Sequence, residues 1–345
     1  MLKKLLLWMF CTLPACLPAN AEIIAQIDAS NGAVRQGGST NKLDFALVSE
    51  NDRDIRNYSP QALRLSVKAA EQGPALVQCE VGYRYLHGIG VGRSDTEAAR
   101  LFRKAADQGL ARAQIYLGAL YQLGRGVPQS DSDALKWYCL AAEKGDAKAQ
   151  CLIGFMYVNG RGVPRNYEEA AKWFLKAAEQ GDSTAQCTIG YLYYAGEGVP
   201  RSYDEAVAWY RKAAEQGESM AQYNLAQMYE QGKGVPQSDT EAVYWFYKAA
   251  LQGDAHAQCN LAYMYTHRKG LPENEAEGVK WYRKAAEQGD EMAEYNLGTM
   301  YERGKGVARD EYEAADWYRK SAEQGNEKAK RALKRLRIHI FYQSH

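Results

Sequence analysis

One glycine recurs every 36 residues through most of the 345-residue chain, and this period constrains the fold more than any other feature of the sequence. The phrase WYRKAAEQG ends on this glycine at 209–217 and 281–289, and it returns as WYRKSAEQG at 317–325. A catalytic motif is needed once, whereas a phrase renewed at a fixed interval is typical of a repeated building unit. The sequence therefore predicts a half unit at 60–73 and seven full units, 74–109, 110–145, 146–181, 182–217, 218–253, 254–289 and 290–325.

Each unit contains two helical segments separated by a turn. The first is typified by SMAQYNLAQMYEQG (219–232), where Ala221, Leu225 and Met228 recur at the spacing of one helix face. It ends at a G-x-G-V-P turn, because glycine adopts the left-handed cap and proline prevents the helix from continuing. The sixth unit departs from this pattern with THRKGLPENEAEG (266–278), so we expect an altered turn there.

The second helix opens with a repeated capping pattern. Its N-cap residues have short side chains that accept hydrogen bonds from free backbone amides, and they are Ser94, Ser130, Asn166, Ser202, Ser238, Asn274 and Asp310. Three positions later stand carboxylates, at Glu97, Asp133, Glu169, Glu205, Glu241, Glu277 and Glu313. This spacing predicts a capping box, in which the carboxylate in turn accepts from the amide of the N-cap residue.

Two further columns indicate how the units meet. Tryptophan stands in the second helix of six units, at Trp137, Trp173, Trp209, Trp245, Trp281 and Trp317. Small residues stand where two helices must approach closely, at Gly118, Gly154, Gly190, Ala226, Ala262 and Gly298. A single unit cannot bury its apolar stripe, whereas stacked units can. The sequence therefore predicts an all-α fold, a right-handed α-solenoid of stacked helix–turn–helix units.

The pattern A-x-x-x-L-G-x-x-Y-x-x-G-x-G-V, followed by D/S-x-x-x-A-x-x-W-Y-x-K-A-A-E-x-G, resembles the Sel1-like repeat family, a relative of the tetratricopeptide repeats, over about residues 60–325. The resemblance implies a tetratricopeptide-like superhelix and a role as a bacterial, often exported, adaptor or scaffold in envelope function, signalling or host interaction. A Helicobacter branch of this family has a cysteine pair joining neighbouring helices in each repeat and is linked to penicillin binding. This chain has Ala142 and Gln150 at the matching positions of one junction, so the resemblance does not extend to that association.

The N-terminal part of the chain differs from the repeats. Residues 1–21 have a basic start, a short apolar run and a small-residue cleavage site, which predict a secretory signal peptide cut after Ala21. Lipid attachment at Cys16 is the alternative. Residues 22–57 are polar and contain glycine, so we expect a flexible leader before the solenoid at 58–325.

The C-terminal residues 326–345 keep a helical stripe of apolar residues beneath six basic side chains. They predict a basic helix that caps the stack. Weak contact of this basic segment with anionic lipid or cell-wall polymer is the alternative.

Catalytic motifs are missing or stand in the wrong context. The G-x-G-V copies follow the end of a helix, whereas a phosphate-binding loop precedes a helix, and the S-x-x-K match at 39–42 lies in a Gly/Ser/Asn-rich stretch. His256 and Cys259 share a helix face, but two ligands do not make a zinc site. No histidine comes with a plausible orienting carboxylate in the sequence. We therefore predict no enzyme, no catalytic residue, no metal site and no cofactor.

Four cysteines occupy one column of the first helices, at Cys79, Cys151, Cys187 and Cys259. Isoleucine and tyrosine take the same position in the other units, which indicates a semi-buried packing position. Equivalent positions on neighbouring helices lie about 9–10 Å apart. Because a disulfide needs Cα atoms within about 7 Å, we do not expect Cys151 and Cys187 to pair.

The first helices are expected to line the concave face of the stack. Two of their outward columns are rich in aromatic residues for a surface, and tyrosine in particular offers rigid apolar area with a polar tip. Asparagine stands between these columns in three late units, where it could bond the main chain of an extended peptide. The candidate partner-binding residues are Tyr191, Tyr194, Tyr223, Asn224, Gln227, Asn260, Tyr263, Tyr295 and Asn296. The alternative is that curvature buries these columns between neighbouring helices.

The formal net charge of +1 gives no field that would attract nucleic acid, and no segment is suited to a stable membrane span. We therefore expect a periplasmic or secreted scaffold that holds a protein or peptide partner. The alternative function is a periplasmic cell-wall or β-lactam-interacting protein, with penicillin-binding or β-lactamase-like activity.

Overall fold

A computed structural model describes residues 67–343, with side chains as far as residue 336. The predicted signal peptide, the leader, the S-x-x-K match, and the first part of the half unit lie outside the described residues. Between residues 67 and 343 the chain forms helices and turns, with no strand. The prediction of an all-α fold is confirmed, and the handedness of the solenoid stays a prediction.

The helices alternate between first and second helices of a unit. The first helices are α1 (Ala75–His87), α3 (Ala111–Leu123), α5 (Ala147–Asn159), α7 (Ser183–Ala195), α9 (Ser219–Gln231), α11 (Ala255–Thr266) and α13 (Glu291–Arg303). The second helices are α2 (Asp95–Asp107), α4 (Asp131–Ala142), α6 (Tyr167–Glu179), α8 (Tyr203–Glu215), α10 (Asp239–Leu251), α12 (Glu275–Glu287) and α14 (Glu311–Glu323). The last helix, α15 (Glu327–Gln343), follows α14 directly. None of the helices in the described residues is both long and apolar enough to cross a bilayer.

Contacts divide the described residues into two compact units, which we describe separately. Unit 1 comprises residues 67–188 and 197–199, and unit 2 comprises residues 189–196 and 200–343. Within unit 1, α1 packs on α2, α2 on α3, and so on to α6. Within unit 2 the same succession runs from α8 to α15. Within each of these two runs, every helix therefore packs against its neighbours in the chain, as stacked repeats require.

The cores of both units are built around a large aromatic side chain of the second helix. Tyr138 and Phe174 in unit 1, and Phe246, Tyr282 and Tyr318 in unit 2, are among the largest fully buried side chains. Each such ring contributes roughly 2–3 kcal/mol through burial alone. The ring needs a small residue on the facing first helix. A Cβ added at Gly154 would lie 2.7 Å from the Phe174 ring, which confirms the predicted close approach at the small-residue column.

Half of the predicted capping box is confirmed. The Ser94 hydroxyl accepts from the Glu97 amide at 3.2 Å, and equivalent bonds cap the other second helices of unit 1 and those of unit 2. The reciprocal half is wrong. The amide of Ser94 donates instead to the carbonyl of Tyr85 at 2.9 Å, while the Glu97 carboxylate pairs with Arg100 at 2.8 Å. The carbonyl of Tyr85, near the end of α1, thus accepts the hydrogen bond that a capping-box carboxylate would otherwise accept.

The divergent turn of the sixth unit keeps the backbone conformation of the other turns. Arg268 replaces the first glycine but adopts the same left-handed conformation, with φ of 53°, and Gly270 follows with φ of 70°. The change lies in the preceding helix, because α11 ends at Thr266 and His267 becomes its C-cap with φ of −126°. A non-glycine residue is therefore held in a conformation that costs about 1–2 kcal/mol.

A ladder of buried amides joins neighbouring repeats. In unit 2, the Gln222 side chain donates to the Ala214 carbonyl at 3.1 Å and accepts from Gln252 at 2.9 Å. The same Gln252 amide reaches the Gly217 carbonyl at 2.9 Å. Gln258 and Gln288 repeat the central bond, at 2.9 Å. These bonds satisfy polar groups that would otherwise be buried without partners.

The ladder is interrupted in unit 1 at one position. Gln114 donates to the Ala106 carbonyl at 3.2 Å, but its side-chain oxygen is buried and has no hydrogen-bond partner. The residue 30 positions later is Lys144, which donates to the Gly109 carbonyl. The Lys144 ammonium does not bond the side-chain oxygen of Gln114, so the contact that Gln252 makes with Gln222 is missing here.

Candidate functional site

Three positions of the first helices lie on one side of each helix, because they are spaced i, i+4 and i+7. In α9, α11 and α13 of unit 2 these positions are partly or fully exposed. We call them the first-helix face, and they are Met220, Asn224, Gln227, His256, Asn260, Tyr263, Met292, Asn296 and Thr299. The face combines amides, an imidazole, a phenol and two thioethers.

Two of the three equivalent positions are closed in α3 and α5 of unit 1, whereas in α1 Glu80 and Tyr83 are half-buried. In α3 and α5 the sixth and ninth helix positions are apolar and buried, at Tyr116, Ala119, Leu152 and Phe155. Tyr116 stacks on Phe102 with ring centroids 4.8 Å apart, and Phe155 packs edge-on against Phe174 at 5.0 Å. At their sixth and ninth positions, α3 and α5 thus bury apolar side chains where α9, α11 and α13 have partly exposed side chains, most of them polar.

Tyr223, one of the predicted binding residues, is largely a packing residue. It is only 8% exposed, its hydroxyl accepts from Gln227 at 2.6 Å, and its ring lies 5.7 Å from that of Phe246. Burial raises the pKa of the Tyr223 phenol. The residue therefore supports the face from beneath and offers little surface to a partner.

The predicted asparagines are half-buried, and one of them is already engaged. Asn260 donates to the carbonyl of His256 in its own helix at 3.0 Å, and its side chain also reaches the Tyr223 hydroxyl. Asn296, near Cys259 of the preceding repeat, acts to lower the pKa of that thiol, although burial raises it more. Asn224 is half-buried as well. The three asparagines are thus only partly available to a partner.

The tyrosines flanking the column differ in their surroundings. Tyr295 is half-buried with its ring 5.6 Å from that of Tyr318. Tyr194 accepts from Lys233 at 3.0 Å and lies beside Tyr203, so it is part of a turn contact. Tyr191 is half-buried on α7. These residues do not join Tyr263 in one cluster.

Tyr263 is the most exposed of the predicted residues, at 36%. Its ring stacks on that of His267 with centroids 4.0 Å apart, and the Lys269 ammonium lies 5.3 Å from the ring centroid. Stacked rings next to a cation form a rigid, amphipathic surface of the kind found at binding sites.

His256 has an orienting carboxylate, contrary to the expectation from the sequence. Its Nδ1 lies 2.8 Å from Oδ2 of Asp290, the N-cap residue of α13 in the next repeat. The other oxygen of Asp290 accepts from the Ala293 amide at 2.7 Å. The hydrogen bond to Asp290 raises the pKa of His256. The expectation failed because the two residues are 34 positions apart and meet only when two repeats stack.

The pair does not form a nucleophilic site. Cys259 lies one helical turn from His256, but it is buried, and burial raises the pKa of its thiol well above the ordinary value. A reactive cysteine needs the opposite shift, toward the thiolate. No group of three or more potential ligands that could hold a metal ion occurs between residues 67 and 343.

The sequence reasoning missed four members of the face, Met220, His256, Met292 and Thr299, and two residues beside Tyr263, His267 and Lys269. Met220 and Met292 precede the asparagines by four positions, His267 follows Tyr263 by four, and Lys269 lies in the turn. The spacing of i and i+4 could have found Met220, Met292 and His267, because such residues share a helix face. Nothing in the repeat pattern indicates that Lys269 folds back over a ring.

The chain is similar to solved structures along most of its length. It is 34% identical to a protective antigen of uropathogenic Escherichia coli with an SLR fold, covering 94% of this chain and 68% of that chain with a TM-score of 0.76. It is 32% identical to a Sel1 repeat protein from Oxalobacter formigenes, covering 94% and 93% of the two chains with a TM-score of 0.69. A search of curated proteins found no significant match.

The Sel1 repeat model matches seven consecutive segments, at residues 75–110, 111–146, 147–182, 183–218, 219–254, 255–290 and 291–326. These segments follow one another without a gap and contain the helix pairs α1–α2 to α13–α14. The chain therefore belongs to the Sel1 repeat family.

Proposed function

We propose that the chain is an exported bacterial scaffold that holds a protein or peptide partner on the first-helix face of α9, α11 and α13. Sel1 repeats in general form non-enzymatic scaffolds for protein interaction. The observation that carries the placement is the difference between the units. Positions that α3 and α5 fill with buried apolar side chains hold exposed or half-buried amides, a tyrosine and a threonine in unit 2.

The chemistry of the face fits an extended polypeptide. Asn224, Asn260 and Asn296 recur once per repeat, so their amides can meet successive backbone groups of a partner chain. Tyr263 offers a stacked aromatic surface, and Met220 and Met292 offer adaptable apolar contacts. His256, whose Nδ1 is held by the Asp290 carboxylate, supplies a further polar group in the middle of the face. The buried Tyr223 acts as support, and Tyr191, Tyr194 and Tyr295 would extend the contact at its edges.

Export of the chain is supported by the sequence of residues 1–21, which has the three parts of a secretory signal peptide. The related protein from uropathogenic Escherichia coli is a protective antigen, which agrees with a location where host antibodies can reach. We infer that the mature chain begins at Glu22 and acts in the periplasm or outside the cell. N-terminal sequencing of the chain recovered from an envelope or medium fraction tests this. A chain that retains Met1 and stays in the cytosol would contradict it.

The binding experiment replaces exposed members of the face and leaves its supports in place. The variant carries Asn224→Ala, Tyr263→Ala and Asn296→Ala, because Tyr223 is buried and its loss would damage packing. Partners are captured from the native envelope on the immobilised wild-type chain and identified by mass spectrometry. We expect the variant to lose the specific partner while its circular dichroism spectrum remains helical.

The matched control replaces the exposed Tyr312 on α14, which is 71% exposed and lies on a second helix. Tyr312→Ala should capture the same partner as the wild type. Retention of the partner by the first-helix variant would place the site elsewhere on the chain. If Tyr312→Ala lost the partner to the same extent, capture would depend on exposed aromatic side chains in general and not on the first-helix face.

A further inference from the structure

The outer side of α10 differs from the same side of every other second helix. Across the repeats, the position of Tyr244 is occupied by Arg100, Lys136, Lys172, Ala208, Lys280 and Asp316. The position of Leu251 is acidic in all six other units, at Asp107, Glu143, Glu179, Glu215, Glu287 and Glu323. The position of Tyr247 is arginine in four of them, at Arg103, Arg211, Arg283 and Arg319. Comparison among the repeats therefore shows that α10 has aromatic or apolar residues at three positions that are charged in most of the other units.

The three substituted residues form one exposed patch, which we call the α10 patch. Tyr244, Tyr247 and Leu251 are spaced i, i+3 and i+7 and are 48%, 43% and 61% exposed. Packing holds the aromatic part in place, because the Tyr244 ring lies 4.9 Å from that of Trp245 and the Tyr247 ring 6.2 Å from that of Trp281 on α12. A buried aromatic side chain covers about 150–250 Å². The patch therefore presents on the order of 300 Å², an area at which exposed apolar surface is often functional.

Cations occupy the matching positions in the second helices of the repeats before and after α10, and together with Lys248 we call them the cationic belt. Arg211 and Lys212 on α8, and Arg283 and Lys284 on α12, occupy the repeat positions of Tyr247 and Lys248 on α10. Their neighbours are aromatic rings and phenols. Arg211 donates to the Tyr229 hydroxyl at 2.8 Å, Arg283 to the Tyr301 hydroxyl at 2.5 Å, and the lysines lie over the tryptophans of their own helices. Within the part of the chain that the structure describes, none of these five cations is paired with a carboxylate.

The belt is bordered by acidic residues on both sides. Glu205 and Glu241 lie in the first turns of α8 and α10, and Glu215 and Glu287 lie in the last turns of α8 and α12. A broad anionic surface such as a membrane would meet these carboxylates together with the cations. A narrow ligand that crosses the helices at the level of Tyr244 and Tyr247 meets these tyrosines and the cations, because Glu215 and Glu287 lie at the level of Leu251. The charge pattern thus favours a linear partner over a membrane surface.

The area of the patch argues against a second copy of the chain as its occupant. A stable protein–protein interface of standard size buries about 800 Å² on each partner, more than twice what the α10 patch presents. Two identical belts facing each other would also bring five unpaired cations of one copy against five of the other. Like charges in such an arrangement are destabilising. A short peptide segment with apolar anchors and acidic flanks needs less contact area, and its carboxylates attract the cations instead of repelling them.

We propose that the α10 patch and its cationic belt form a second docking surface, for an acidic amphipathic peptide segment of another protein. Its apolar side chains contact Tyr244, Tyr247 and Leu251, and its carboxylates pair with Arg211, Lys248 and Lys284. The surface lies on second helices and is separate in residues from the first-helix face, so either site can exist without the other.

The test uses the full mature chain and a defined probe. The probe is a fluorescein-labelled 15-residue peptide with leucine or phenylalanine at every third or fourth position and glutamate between them, and binding is followed by fluorescence anisotropy. A matched peptide has glutamine in place of every glutamate. The protein variant carries Tyr244→Lys, Tyr247→Arg and Leu251→Glu, which are the residues of α12 at these positions and are compatible with the repeat fold.

We expect the acidic peptide to bind the wild-type chain at least about tenfold more tightly than the triple variant, since losing central anchors commonly costs that much. Binding should weaken in added salt and with the glutamine peptide. Tyr312→Ala should bind as the wild type does. Equal binding of the two peptides, or equal binding by the triple variant, would overturn the proposal.

Two other outcomes would also overturn it in favour of a different occupant. Phosphatidylglycerol vesicles that bind the wild-type chain but not the triple variant, without binding of the peptide, would assign the surface to a membrane. A dimer seen by sedimentation velocity for the wild type and lost in the triple variant would assign it to a second copy.

Discussion

Replacing Lys144 with glutamine should complete the interrupted amide ladder of unit 1. In the complete rungs of unit 2, one glutamine amide reaches both a buried side-chain oxygen and a glycine carbonyl, as Gln252 does with Gln222 and Gly217. Lys144 makes only the glycine contact, and the side-chain oxygen of Gln114 is left buried without a partner. Lys144→Gln supplies the missing donor and can keep the bond to the glycine carbonyl.

The expected gain in the free energy of unfolding is about 1 kcal/mol. An unsatisfied buried acceptor costs about 1–3 kcal/mol, and a completed neutral hydrogen bond contributes about 0.5–1.5 kcal/mol net. Against this, removing a lysine near the carboxyl end of α4 loses about 0.3–1 kcal/mol of favourable interaction with the helix dipole. The reverse change, Gln252→Lys in unit 2, leaves the Gln222 oxygen without a donor and should destabilise its repeat by about 1–2 kcal/mol.

Hydrogen exchange with mass spectrometry is the appropriate assay, because stacked repeats open locally and a single global transition is not assured. In Lys144→Gln, amides of α3 and α4 should exchange about fivefold more slowly, which corresponds to about 1 kcal/mol. In Gln252→Lys, amides of α9 and α10 should exchange faster. Unchanged or faster exchange in Lys144→Gln, together with unchanged exchange in Gln252→Lys, would refute the reasoning.

Three further perturbations test other features of the fold. The hydrogen bond to Asp290 raises the pKa of His256. The stabilisation from this bond should therefore be fully present below about pH 6.5 and be lost as the pH rises through the raised pKa. An NMR titration of the ring measures the pKa, and unfolding curves at several pH values measure the stability. Arg268→Gly should stabilise the sixth repeat by about 1 kcal/mol in urea unfolding, since glycine adopts its left-handed backbone freely. Gly154→Ala should destabilise unit 1 by about 1–2 kcal/mol in thermal unfolding, because the new methyl group would lie 2.7 Å from the Phe174 ring.

Each of these has a control within the chain. Asp290→Asn should abolish the pH dependence assigned to His256, and its persistence would contradict the assignment. Gly304→Arg, at the equivalent left-handed turn of the seventh repeat, should destabilise as much as Arg268→Gly stabilises. Gly92→Ala should be neutral, because nothing lies within 4 Å of the added methyl group. A similar loss in Gly92→Ala and Gly154→Ala would remove steric contact as the explanation.

The repeat period predicted the helix pairs because it records a physical requirement that every unit shares. The N-cap serines and the small residues facing the core rings each serve a contact within one unit, so a column of identical residues indicates them directly. The sequence led us to expect an altered turn in the sixth unit, but Arg268 adopts the left-handed conformation that glycine has in the other units. The capping box was only half correct, because the amide of Ser94 has a closer acceptor in the carbonyl of Tyr85.

The candidate site could be predicted only in part, because its exposure depends on how one repeat meets the next. Tyr223 and Tyr263 are both tyrosines in outward columns, yet one is buried against Phe246 and the other is exposed. The pairing of His256 with Asp290 joins two repeats and has no signal in a single unit. The α10 patch, by contrast, could have been found from the sequence by comparing the same position in all seven units.

The most direct test of partner binding at the first-helix face is photo-crosslinking from a single position. A benzoylphenylalanine residue is introduced in place of Tyr263, and in a second chain in place of Tyr312 on α14, and each full chain is irradiated in living cells that express it. The account predicts one crosslinked polypeptide from the Tyr263 position and none of that mass from the Tyr312 position. The same product from both positions, or a product from the Tyr312 position alone, would contradict it.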